Sequence, residues 1–277
     1  MQKRQFVVEI RPTRQLYGDF RVPERYEGNP LIVFCHGFKG FKDWGGWQYA
    51  MDKFCMNGFF VIAVNFSYNG IGPDLQNFTD LKKFAKNTIG RELKDLEILL
   101  KKLKKGEEFP EISWKPPIGL LGHSRGGGTA ILFASQYDNI DCLITWASIS
   151  SFDNYLSRRI EWRENGYIEF ENVRTKQMMR MNVGFLNDLD RNSTKRNILK
   201  AESRLGLPHL IVHGYDDESV PYQDAQNLFD ASSKSITRLE IIRGGTHTFG
   251  ITHPFTGSNP VFDSVINKTT EWFWEYL

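Results

Sequence analysis

Apolar residues cluster in short runs along this chain, and between the runs they recur at helical spacing. Leu31 to Cys35, Phe59 to Phe66, Ile118 to Leu121, Cys142 to Ala147, Leu210 to Val212 and Leu239 to Ile242 are each mainly apolar, interrupted only by Asn65, Gly119, Thr145 and Glu240. A strand with that pattern is covered on both faces, which is the habit of parallel strands in α/β proteins. The opening stretches, Phe6 to Ile10 and Gly18 to Val22, alternate more and predict an antiparallel pair at the edge.

Helices are predicted between the runs. Gln48 to Asn57 is closed by Gly58, and Ile89, Leu93, Leu96, Leu100 and Leu103 place an apolar stripe on a longer helix at steps of four and three. Lys101, Lys102, Lys104 and Lys105 fall on its last turn before Gly106, where the negative end of the helix dipole and solvent account for them. A final helix, Val261 to Tyr276, offers Val265, Trp272, Phe273 and Tyr276 for docking. Strands alternating with helices imply an α/β domain with a mainly parallel twisted sheet flanked by helices. Only residues 151–205 break the alternation, being charged, sprinkled with aromatics and without a buried parallel strand. The organisation expected is a core of residues 1–150 and 206–277 interrupted by an insertion of residues 151–205.

The chemistry gathers where runs end. Ile118 to Leu121 leads into Gly122-His123-Ser124-Arg125-Gly126 and then the small residues of a helix start. Strand, sharp turn and helix around one serine make a nucleophile elbow, with the hydroxyl held out of a strained turn and glycine required where a Cβ would strike the neighbouring elements. A serine nucleophile needs a base and an acid to orient that base. Leu210 to Val212 opens into His213-Gly214-Tyr215-Asp216-Asp217-Glu218, and Leu239 to Ile242 opens into a glycine-rich loop presenting His247. Serine, acid, histidine is the chain order of α/β-hydrolases. His253, the other histidine beyond the acid loop, has no strand before it and is followed by proline.

On these motifs the chain resembles the α/β-hydrolases of the dienelactone hydrolase and bacterial cinnamoyl-type esterase group over nearly its whole length. In that group a His-Gly-x-x-Asp-x-x-Val-Pro stretch supplies the triad acid. His213, Gly214, Asp217, Val220 and Pro221 fit it, which selects Asp217, with Asp216 as the alternative. Val33 to Gly40, ending in His36-Gly37-Phe38, resembles the group's oxyanion loop and assigns the two stabilising N–H groups to Phe38 and Arg125. The Arg125 side chain reads equally well as a surface salt bridge or a substrate contact. Dienelactone hydrolases use cysteine where this chain has Ser124, which favours ester hydrolysis. The resemblance also implies that residues 151–205 form a cap, with Phe152, Tyr155, Trp162, Tyr167 and Phe185 as candidate pocket residues, Trp162 and Phe185 foremost.

The activity so implied is a serine hydrolase with a Ser124-His247-Asp217 triad acting on small-molecule carboxylic esters through an acyl-enzyme, with no cofactor. A peptidase or acyl-aminoacyl hydrolase would share every catalytic residue. A catalytically silent binding protein on the same fold is disfavoured because all triad positions are occupied. At 277 residues and a net charge of +2 the chain has room for one large domain and no charge signal for nucleic acid. Its three cysteines, Cys35, Cys55 and Cys142, lie in apolar surroundings without metal-ligand spacing, so reduced thiols and a cytoplasmic setting are expected. No segment has the length and hydropathy of a membrane span or a signal-peptide core.

Overall fold

The computed structural model describes residues 1–106, 108–112, 115–172 and 175–277. The chain opens with β1 (Gln2–Arg11) and β2 (Arg14–Val22), then β3 (Leu31–Cys35), α1 (Trp47–Met56), β4 (Phe60–Asn65), α2 (Leu81–Ala85) and α3 (Ile89–Lys105). Next come β5 (Ile118–His123), α4 (Arg125–Ala134) and β6 (Cys142–Trp146). A stretch of smaller elements follows: α5 (Asp153–Leu156), α6 (Arg159–Asn165), β7 (Tyr167–Asn172), β8 (Gln177–Asn182), α7 (Gly184–Arg191) and α8 (Ile198–Glu202). The chain ends with β9 (His209–Gly214), α9 (Gln223–Ala231), β10 (Thr237–Ile242) and α10 (Pro260–Tyr276).

Eight strands form one sheet in the order β1-β2-β4-β3-β5-β6-β9-β10. β1, β2 and β4 pair antiparallel, and every pairing from β4 to β10 is parallel. The two opening strands are longer than the apolar pattern suggested, because antiparallel pairing at the sheet edge recruits polar residues such as Arg4 and Gln5 that need bury only one face. Successive side chains of a strand point to opposite faces. Accordingly Leu31, Val33 and Cys35 join the core under α3 and α4, while Ile32 and Phe34 join the one under α1 and α10.

Capping explains where the long helices start and stop. Thr88 accepts the Arg91 N–H at 3.2 Å to open α3, and Gly106 closes it in the left-handed region at φ 69°. Asn259 and Pro260 open α10, the Asn259 side chain accepting the Phe262 N–H at 3.0 Å.

Residues 151–205 add no strand to the main sheet. β7 and β8 pair antiparallel as a separate ribbon. Trp162 and Phe185 stack at 5.7 Å inside this region, and the Trp162 indole N–H donates to the Met181 carbonyl at 2.9 Å.

The chain passes from β3 outward to β4, then returns to the other side of β3 as β5. Such a reversal leaves a crevice at the carboxyl ends of the strands, the usual place for a ligand in an open α/β sheet. The loops after β3, β5, β9 and β10 all open there.

Candidate active site

Ser124 stands at the turn between β5 and α4 with φ 56° and ψ −122°, a conformation that costs a side-chain-bearing residue about 1–3 kcal/mol. Its N–H donates to the Trp146 carbonyl of β6 at 2.9 Å, anchoring the turn to the sheet. The flanking glycines are steric requirements. A Cβ on Gly122 would lie 2.5 Å from the Gly126 carbonyl oxygen, and one on Gly126 would lie 2.4 Å from the Cys35 carbonyl oxygen.

His247, in the loop after β10, faces Asp217, in the loop after β9, with Nδ1 2.8 Å from Oδ2. Asp217 is buried, and its other oxygen accepts the N–H groups of Ser219 at 2.8 Å and Val220 at 2.9 Å. His213 Nε2 adds a contact to Oδ2 at 3.2 Å while also donating to the Val220 carbonyl at 2.9 Å. Burial by itself raises the carboxyl pKa, but the hydrogen bonds from His213 and His247 outweigh it and hold Asp217 well below the ordinary range. An ionised Asp217 keeps the His247 proton on Nδ1 and leaves the lone pair on Nε2. Asp216 and Glu218 are exposed, and Asp216 is tied only through its backbone N–H to the Gly245 carbonyl at 2.9 Å. Ser124 and His247 border the same cleft. Among the described residues no hydrogen bond joins their side chains, as is common in substrate-free hydrolase sites.

The loop after β3 is held by buried polar residues. His36 donates from Nδ1 to the Gly37 carbonyl at 2.9 Å and accepts the Phe66 N–H on Nε2 at 3.2 Å. Burial lowers its pKa to about 4, against the Gly37 carbonyl, which favours the charged ring. Lys42, also buried, pairs with Asp19 of β2 at 2.9 Å, and its N–H donates to the Asn65 side chain at 2.8 Å. The loop therefore reaches the serine in a fixed position, and a Cβ on Gly37 would lie 2.9 Å from Ser124 Cβ. Among the described residues, the N–H groups of Phe38 and Arg125 have no backbone acceptor. Arg125 is the first residue of α4, where an N–H has no intrahelical partner and the helix dipole is positive.

The side chain of Arg125 corrects one expectation. It forms a buried ion pair, Nη2 lying 2.6 Å from Glu92 Oε1, and not a surface bridge. Glu92 also accepts from Thr129 at 2.9 Å and Asn87 at 2.7 Å, and the guanidinium lies 4.6 Å from the Phe38 ring centre. Such a pair costs desolvation, which those further hydrogen bonds offset.

Trp162 and Phe185 do not reach the cleft. Both are buried, at 0% and 1% exposure, and they stack on each other, because a small ribbon with short helices has few other apolar groups with which to fill its interior. The aromatic residues that do border the cleft are Phe38, Trp44, Trp47, Tyr155 and Phe170.

His123 went unassigned from the sequence. Its Nε2–H donates to the His247 carbonyl at 2.9 Å, and its ring lies 4.7 Å from Trp47. Burial, reinforced by neighbouring His247, drops its pKa to about 3, so it serves as a neutral donor. A signal was present: three strands of the sheet carry histidine at or beside their carboxyl ends, as His36-Gly37, His123-Ser124 and His213-Gly214.

The profile of the α/β hydrolase fold family matches residues 30–178, more than half of the chain, and the protein belongs to that family. No curated protein sequence matches it. Among solved structures it is similar to Est1E from Butyrivibrio proteoclasticus, with a TM-score of 0.72 and 19% identity over 98% of both chains. It is also similar to a dienelactone hydrolase from Anabaena variabilis, with a TM-score of 0.64 and 17% identity over 100% of both chains. A Pyrococcus horikoshii acylaminoacyl peptidase matches with a TM-score of 0.69 and 19% identity, over 100% of this chain and 42% of that one. Likeness at such identities concerns the fold.

Proposed function

We propose that this protein is a serine hydrolase of small-molecule carboxylic esters, with Ser124 as nucleophile, His247 as general base and Asp217 as the residue that orients it. The observation carrying the proposal is the 2.8 Å contact between His247 and buried Asp217 beside a serine in a strained turn. His247 Nε2 takes the proton as Ser124 Oγ attacks the ester carbonyl carbon. The N–H groups of Phe38 and Arg125 receive the resulting oxyanion, a contribution of about 3 kcal/mol for each such donor. Protonated His247 then gives its proton to the leaving alkoxide, so the alcohol departs and an acyl-Ser124 ester remains. Water, deprotonated by His247, attacks that ester; the acid leaves and Ser124 recovers its proton.

Residues 151–205 act in this reading as a cap over the core of residues 1–150 and 206–277, bringing Tyr155 and Phe170 to the cleft. Three unpaired buried cysteines support a cytoplasmic setting. The test is a fluorophosphonate label together with an ester panel. Ser124 should take the label and wild type should turn over activated esters, both lost in Ser124→Ala. An unlabelled Ser124, or full turnover in the variant, overturns the proposal.

A further inference from the structure

The cleft consists of two lobes that meet at Ser124. The larger encloses about 520 Å³ and is walled by Trp44, Trp47, Thr248, Ile251 and His253. The smaller encloses about 370 Å³ and is walled by Arg125, Ile149, Asn154, Tyr155 and Phe170. Ser124, His247, Phe38, Lys39 and Ser219 border both.

A tetrahedral intermediate on Ser124 Oγ has three further substituents, and each has a different destination. The charged oxygen goes to the N–H groups of Phe38 and Arg125. The leaving oxygen must come within reach of His247 to be protonated. The acyl chain takes the direction that remains. Of the residues that follow His247 in the chain, Thr248, Ile251, Thr252 and His253 border only the larger lobe, so a group departing on the His247 side runs along that wall. Arg125, which supplies one oxyanion N–H, borders only the smaller lobe, together with side chains from residues 149–170.

The walls differ in kind as well as in position. Trp44 stacks on His253 at 5.8 Å and lies tilted against Trp47 at 5.6 Å, so three aromatic rings wall the larger lobe. In the smaller lobe Phe38, Tyr155 and Phe170 pack edge to face on one another at 5.7, 5.1 and 6.2 Å. The Arg125 guanidinium over Phe38, fixed by Glu92, braces that trio and limits how far it can open.

On the ester-hydrolase reading, we infer that the larger lobe is the alcohol site and takes a flat aromatic or bulky apolar alcohol, while the smaller lobe is the acyl site and takes a compact acyl group. Deacylation separates the two, since the alcohol has left before water attacks. The experiment is stopped-flow and steady-state kinetics with ethyl, 4-nitrophenyl and 2-naphthyl esters of acetate and butyrate. Tyr155→Leu should change the butyrate-to-acetate ratio and the deacylation rate constant by about fivefold or more, by the same factor whichever alcohol is used. Trp44→Leu should change the naphthyl-to-ethyl ratio of kcat/KM by a similar factor and move the butyrate-to-acetate ratio by less than about twofold. Both side chains are half-buried; Phe170→Leu and Thr252→Leu replace them should either variant fail to fold. The opposite pattern, or variants in both lobes moving both ratios alike, overturns the assignment. Loss of the 4-nitrophenol burst in wild type itself, with Ser124 unlabelled by fluorophosphonate, removes instead the ester-hydrolase reading on which it rests.

Discussion

The loops after β3, β5, β9 and β10 and the segment of residues 151–205 meet at one cleft but are built on opposite principles. The loops carry buried polar groups, His36, His123, His213, Asp217 and Lys42, each bonded to the backbone or to a partner charge. The segment keeps its largest apolar residues, Trp162 and Phe185, for its own interior and presents only a few side chains to the cleft. Chemistry demands position to a fraction of an ångström, which hydrogen bonds holding buried groups at strand ends favour. Substrate choice demands shape, which an inserted segment packed onto one side of the core can supply and vary.

The strongest way to break this division is at its centre. Ser124→Ala should lower ester turnover by about three orders of magnitude or more, with the circular dichroism spectrum unchanged; a small residual rate comes from the oxyanion hole and binding. Next, Asp217→Asn should cost about three to four orders in kcat by spoiling the His247 tautomer, whereas exposed Asp216→Asn should stay within about twofold. Equal losses for the two would show that the loops do not hold the acid as described.

Trp162→Ala probes the other side. Removing a fully buried indole should lower stability by about 3–5 kcal/mol in urea unfolding, and the folded fraction should keep the wild-type ranking among esters. A changed ranking with unchanged stability would make the residue part of the cleft. His123→Phe sharpens the loop side: loss of the bond to the His247 carbonyl should lower kcat about tenfold or more at nearly constant KM. A proportional rise in KM with kcat intact would assign His123 to binding.

The smallest effect concerns acid. His36 and His123 have folded pKa values of about 4 and about 3, below the ordinary value of 6.5, so between these limits the unfolded chain binds more protons. Their contribution to stability is therefore complete above about pH 6.5 and falls as pH drops toward 4. Asp95, which burial raises from 3.8 to about 6 despite Arg14, acts with the opposite sign between about pH 6 and pH 4. With two groups against one, the net effect near pH 5 is a loss of stability as pH falls. Thermal unfolding at pH 7 and pH 5 checks it: His36→Asn should lose less on acidification than wild type and Asp95→Asn should lose more. Identical slopes in all three would refute the buried-neutral account.

The strands of the sheet were legible because a strand covered on both faces must be apolar at consecutive positions, as Leu31–Cys35 and Cys142–Trp146 are. The elbow was legible because its geometry is dictated locally: Gly122 and Gly126 sit where backbone atoms leave no room for a Cβ. His247 was read from its glycine-rich loop and the chain order, Asp217 through the motif of the resemblance, and their 2.8 Å contact joins loops thirty positions apart. His123 was harder to read, since its partner is a backbone carbonyl that no side-chain pattern reveals. The ends of β1 and β2 were misjudged because pairing at an edge, and not hydropathy, sets their length.

By itself the sequence determined the layers, the serine turn and the chain order of the candidate catalytic groups, the first two through periodic burial and local sterics. Which aromatic residues face the cleft, and that Arg125 is buried against Glu92, were decided by tertiary structure alone. Packing assigns an aromatic ring or a guanidinium to wall or to core only when elements distant in the chain close around it, and hydropathy is the same in either place.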